Sequence, residues 1–225
     1  MNLTKKMIIE RNTQGLLLLS HQRFDEAART FRSCLVDLHT ILATASPEQH
    51  KTRTTRKSFY DIGPLDMAES CTSESQILPY TKGFFLQPNY EDDLGSTHVY
   101  HDEHLLSAVF LYNLALTFHI RAQVYANPRQ VNSKKAMSLY KMVVNFLRAM
   151  SFADRETSRL LQLAVFNNMA QIHMERYEIP DFVEKVTWMQ DIVCSDIPRE
   201  EEVSFFALNL VLAEGTKCFH FAPAA

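Results

Sequence analysis

A five-residue pattern recurs three times. Leu111-Tyr112-Asn113-Leu114-Ala115, Phe166-Asn167-Asn168-Met169-Ala170 and Ala207-Leu208-Asn209-Leu210-Val211 each place an asparagine inside an apolar run, with an alanine or valine two residues later. Each falls in the middle of a segment whose apolar residues return at three- and four-residue steps, the period of an amphipathic helix. Recurrence of this kind constrains a fold more than composition does. A unit that repeats must pack against its own copies, and helical units do so as stacked pairs.

The helices follow from the same period. Residues 1 to 44 read as two, the second carrying Phe24, Ala27, Ala28, Phe31, Leu35, Leu38 and Leu42, with Asp25 and Glu26 at its positive dipole end. Residues 102 to 126 predict an apolar helix with Leu106, Val109, Phe110, Asn113, Leu114, Thr117 and Phe118 on one face. Further helices are predicted over about 133 to 150, from Ser151 or Asp154 to about Arg176, from Pro180-Asp181 onward, and from Pro198. The tail from Phe219 to Ala225 is expected to fray. Residues 46 to 98 break the pattern: they hold three of the five glycines and four of the eight prolines. This stretch reads as an insertion with little helix, containing short extended pieces around Phe59 to Ile62 and Ile77 to Leu86.

These segments resemble the tetratricopeptide repeat family, whose first helix often reads aromatic-Tyr-Asn-Leu-Gly. The N-terminal pair fits the same frame: Gly15 stands at the small position, Phe24 at the turn aromatic, Ala27 twelve residues after Gly15 at the second small position, and Phe31 at the following aromatic. A small residue on each helix lets two backbones approach, and aromatics fill the gap to the next pair. The sequence departs from the family pattern in four ways. Ala115 and Ala136 are 21 residues apart, Phe182 stands where a small residue is expected, the last unit has only its first helix, and residues 46 to 98 have no counterpart. The resemblance implies an all-α fold: antiparallel helix pairs stacked as a short right-handed solenoid, one domain over residues 1 to 225 with the insertion inside it.

It also implies an interaction scaffold and not an enzyme, with a concave groove lined by the first helices that takes a peptide or a partner's helix. The groove offsets fall on Asn12, Leu16 and Leu19; on Val109, Tyr112, Asn113, Leu116 and His119; and on Asn167, Asn168, Gln171, Met174 and Glu175. None is Lys or Arg, so the groove departs from family members that grip an acidic C-terminus. An extended or helical apolar segment suits it better. The insert supplies a proline-bounded aromatic stretch, Leu78 to Tyr90, and tethering gives such a stretch a high effective concentration. It is therefore a candidate internal ligand. If it fills the groove for good, the chain is a structural or oligomerising protein instead.

Other chemistry is weaker. With 23 Lys and Arg against 26 Asp and Glu, the net charge is −3, which disfavours nucleic-acid and anionic-membrane binding. Five isolated glycines build neither a phosphate loop nor a dinucleotide fingerprint, so no cofactor is expected. His98, His101 and His104 stand at three-residue steps, and imidazoles so spaced can hold zinc or nickel, the basis of a competing metal-enzyme reading. The same run also fits exposed polar residues at a helix start, and no local Cys or fourth ligand completes it. His119 and His173, at nearly equivalent repeat positions, fit hydrogen-bonded packing histidines. Four scattered cysteines without a C-x-x-C pair predict a reducing, intracellular setting, cytoplasmic or nuclear. The N-terminus shows no secretory signal, and no membrane span is predicted, the longest nearly apolar run being Ala108 to Phe118.

Overall fold

The computed structural model describes residues 3–44, 60–65, 79–88, 103–125, 129–150, 158–194 and 200–220. Seven helices and two strands occur among them: α1 (Leu3–Ser20), α2 (Phe24–Thr44), β1 (Tyr60–Leu65), β2 (Gly83–Pro88), α3 (Glu103–Val124), α4 (Arg129–Ala149), α5 (Arg159–Glu175), α6 (Ile179–Cys194) and α7 (Glu200–His220). The described chain is predominantly helical, as the sequence period requires. Of the proposed metal cluster, His98 and His101 lie outside the described residues. So do most of the insert and residues 221–225 of the tail.

Contacts divide the chain, which the sequence alone reads as one domain, into two compact units. The first comprises Met1–Glu69 and Thr81–Ser158, the second Ser70–Tyr80 and Arg159–Ala225. In the first unit α1 packs on α2, α2 on α3, and α3 on α4, while β2 lies against α1 and α3. In the second, α6 packs on α5 and α7, and α7 also touches α5.

Two helix pairs turn in the same way. Among the described residues, Gln22 and Tyr177 are the non-glycine residues with positive φ, 57° and 60°. Each sits two residues before the second helix of its pair. Around Gln22, its own N–H bonds to Leu19 O, Arg23 N–H reaches back to Leu18 O, and Ala27 N–H bonds to Arg23 O. Around Tyr177 the counterparts are Met174 O, His173 O and the bond from Phe182 N–H to Glu178 O. The five-residue reach-back is a Schellman closure, which satisfies carbonyls that the helix end would orphan.

The matching turns align the two pairs residue by residue. Gly15 corresponds to Ala170, Ala27 to Phe182 and Phe31 to Val186. In the first pair a Cβ on Gly15 would come within 2.6 Å of the Phe31 ring, so the glycine makes room for an aromatic. In the second pair Ala170, Phe182 and Val186 form one buried cluster with Ala213. The unexpected Phe182 is thereby explained. The large side chain has moved one turn earlier, and the smaller valine takes the place filled by Phe31. The order of large and small side chains is thus exchanged between the two pairs.

Helix α3 differs from its sequence pattern. Every residue from Leu105 to Ile120 is buried, not one face alone. The cause is its position, with α2, α4 and β2 all packed around it. By length and composition α3 is also long and apolar enough to cross a membrane, and most of it is buried within the protein.

Strands β1 and β2 pair antiparallel, with Pro64 opposite Phe84 and Tyr60 opposite Pro88. Phe84 turns its backbone N–H and C=O away from β1, toward Asn113. By alternation, the pairs containing Pro64 and Pro88 are then the non-hydrogen-bonded ones, so neither proline removes a ladder bond.

Candidate functional site: asparagine clamps on an extended segment

In the first unit, α1 presents Asn12 and α3 presents Asn113, both fully buried. Phe84 N–H donates to Asn113 Oδ1 at 2.9 Å, and Asn113 Nδ2 donates to Phe84 O at 2.8 Å. Asn12 Nδ2 donates to the same carbonyl at 3.0 Å, and Asn113 Nδ2 also donates to Asn12 Oδ1 at 2.9 Å. One side-chain amide thus takes both backbone groups of one residue, as a neighbouring strand would. Both hydrogens of Asn113 Nδ2 are used. The orientation of the amide is set by these partners: reversed, it would face N–H to N–H and oxygen to oxygen. One residue earlier on α3, Tyr112 OH donates to Lys82 O at 3.3 Å. The grips therefore fall on residues 82 and 84, the two-residue period of one strand edge, while β1 holds the other edge.

Side chains of the segment are buried too. The Phe84 ring is fully buried, edge-on to Tyr112 with centroids 5.0 Å apart, and Leu86 is buried beside it in the strand. Tyr112 in turn contacts Tyr140, whose OH lies 3.3 Å from His119 Nδ1. His119 is thus a buried histidine within hydrogen-bond distance of Tyr140.

The second unit repeats the clamp. Tyr80 N–H donates to Asn168 Oδ1 at 2.8 Å, and Asn168 Nδ2 donates to Tyr80 O at 3.0 Å. Asn168 holds the same place in the sequence repeat as Asn113. The Tyr80 ring stacks on Phe206 at 5.0 Å and meets Phe205 edge-on at 5.4 Å. The asparagine-to-asparagine bond recurs as well: Asn209 Nδ2 donates to Asn167 Oδ1 at 2.7 Å, just as Asn113 does to Asn12. In each unit the donor comes from the first helix that follows the pair, and the acceptor stands three residues before the small residue of that pair.

The predicted groove residues distribute as follows. Asn12, Tyr112 and Asn113 hold β2, Leu16 touches it at Gly83, and Asn168 holds Tyr80, with Asn167 donating to Asn168 Oδ1 at 3.4 Å. Leu19, Leu116 and Gln171 are buried. Gln171 Nε2 donates to Glu175 Oε1 at 3.1 Å, and Met174 packs on the Ala170–Phe182 cluster. Tyr140 backs Tyr112, and Phe206 forms the seat of Tyr80, a role that no sequence signal marked.

A different cluster emerges as a possible metal-ligand set. Ligand atoms of His173, Glu178 and Asp181 lie within 4.8 Å of one another. His173 Nδ1 already lies 2.7 Å from Glu178 Oε2, so that pair satisfies itself across the α5–α6 turn. Of the sequence-predicted histidine trio, His104 is exposed at the start of α3, 5.7 Å from the Phe146 ring.

No family model, no curated protein and no solved structure matches this chain.

Proposed function

We propose that the chain is a non-enzymatic protein-interaction scaffold of the tetratricopeptide type, whose first helices line a groove that holds an extended segment of a partner protein. What supports the reading is the pair of bidentate clamps. Asn113 and Asn168 each bind both backbone groups of one residue, an arrangement that reads extended backbone whatever its side chains. In the first unit Phe84, and in the second unit Tyr80, illustrate what such a ligand residue looks like.

Each clamp is occupied by the chain itself, and the same occupancy favours a second reading, a structural protein whose groove is closed for good. Exchange separates the two. A fluorescent peptide of sequence 81–88 is titrated against the full chain carrying Phe84→Ala, which weakens the resident segment and leaves Asn12, Tyr112 and Asn113 in place. Saturable binding, lost when Asn113→Ala is added, is the expected result. A folded Phe84→Ala chain that binds no peptide would rule out the scaffold reading and leave the closed protein.

A further inference from the structure

Resting on that reading, we infer that the first unit selects partner segments of the form glycine–aromatic–any–aliphatic, matching its own Gly83-Phe84-Phe85-Leu86. The aromatic sits in the Tyr112 seat and the glycine against Leu16.

Gly83 carries the argument. Glycine is a poor strand residue, yet Gly83 opens β2 where the strand lies against α1. Gly83 is buried, and a Cβ there would stand 2.3 Å from Leu16 Cδ2. Leu16 has no exposure at all, so its side chain has no solvent side into which to swing. The next residue is fixed by three amide hydrogen bonds, so the strand cannot back away from α1 without breaking them. The asparagines themselves read only backbone and would accept any residue. Selectivity comes from the two side-chain positions beside the clamp: one that must be absent and one that must be a flat ring. The partner is thus an extended protein segment with that four-residue signature. It competes with a resident copy held at roughly millimolar effective concentration by its tether.

Strand propensity and close contact predict opposite signs, which makes the test sharp. In the titration above, the parent 81–88 peptide is compared with a peptide carrying Gly→Val at the position of Gly83 and another carrying Phe→Ala at that of Phe84. Propensity alone would make the valine peptide the tighter ligand. The contact makes it weaker by at least about tenfold, as overpacking of a filled site does, and the alanine peptide weaker by a similar factor. If the parent and valine peptides bind equally, the signature is wrong while the scaffold reading stands. If no peptide binds a folded chain, the scaffold reading fails and takes the signature with it. Should Phe84→Ala unfold the chain, Gly83→Val in the otherwise unaltered full chain gives a second measure. Amide exchange at Phe84 is expected to rise at least about tenfold, with the interior of α3 unaffected. Unchanged protection at Phe84 would overturn the inference.

Discussion

At the scale of single residues, the two buried amides decide most. Asn113→Ala removes three hydrogen bonds and leaves the buried N–H and C=O of Phe84 short of partners. Each net bond contributes about 1 kcal/mol and an orphaned buried group costs about 1–3 kcal/mol, so a loss of about 3 kcal/mol is expected in urea denaturation. Asn113→Asp is expected to cost more, because it sets a carboxylate oxygen against Phe84 O and Asn12 Oδ1. A loss under 1 kcal/mol for both would mean the clamp is not formed. Gly15→Ala poses a contest of magnitudes. Helix propensity favours alanine by about 1 kcal/mol, whereas overpacking against the Phe31 ring costs about 1–3 kcal/mol. Net destabilisation is expected, relieved by a second change, Phe31→Leu.

Cys34 gives a chemical readout of burial. Its thiol has no exposure and is pushed up to about 12 by burial, from an ordinary value near 9. The folded state therefore favours the neutral thiol. That contribution is whole below about pH 9 and is lost as pH rises toward 12. At pH near 8 an alkylating reagent should modify exposed Cys194 and spare Cys34, as read by peptide mass mapping. Equal modification of both would show that α2 does not bury its thiol.

At the scale of elements, the exchanged volumes in the two helix pairs make a test of repeat equivalence. Phe182→Ala alone should cost about 3–5 kcal/mol, and Val186→Phe alone about 1–3 kcal/mol. Together they rebuild the order found at Ala27 and Phe31, so the double variant should be more stable than the sum of the single losses by at least about 1 kcal/mol. Strict additivity in thermal melts would mean the two turns match by chance. Helix positions and the extended character near Leu86 were legible in the sequence, because period and punctuation are local signals. The all-round burial of α3 was not. Its stripe is apolar on one face and nearly so on the rest, and only the neighbours packed around it decide which faces meet water.

At the scale of the molecule, the asparagine pattern was legible as a repeat, and the insert as a candidate internal ligand. What the sequence could not supply was register: which insert residue meets which amide depends on the length of chain folded between them. Phe84 and Asn113 are 29 residues apart, and Tyr80 and Asn168 are 88. A site built from neutral amides and aromatic rings also predicts how binding responds to salt. Affinity for the 81–88 peptide should change less than about twofold between about 0.05 and about 0.5 M NaCl, since the hydrogen bonds that Asn12, Tyr112 and Asn113 make to the segment come from neutral groups.

Amide hydrogen exchange of the intact, unaltered chain bears most directly on the two asparagine clamps. Tyr80 and Phe84 N–H are each held by a buried asparagine, so both should exchange as slowly as amides in the middle of α3. Exchange of these two amides at the rate of a free loop, with α3 still protected, would contradict the account.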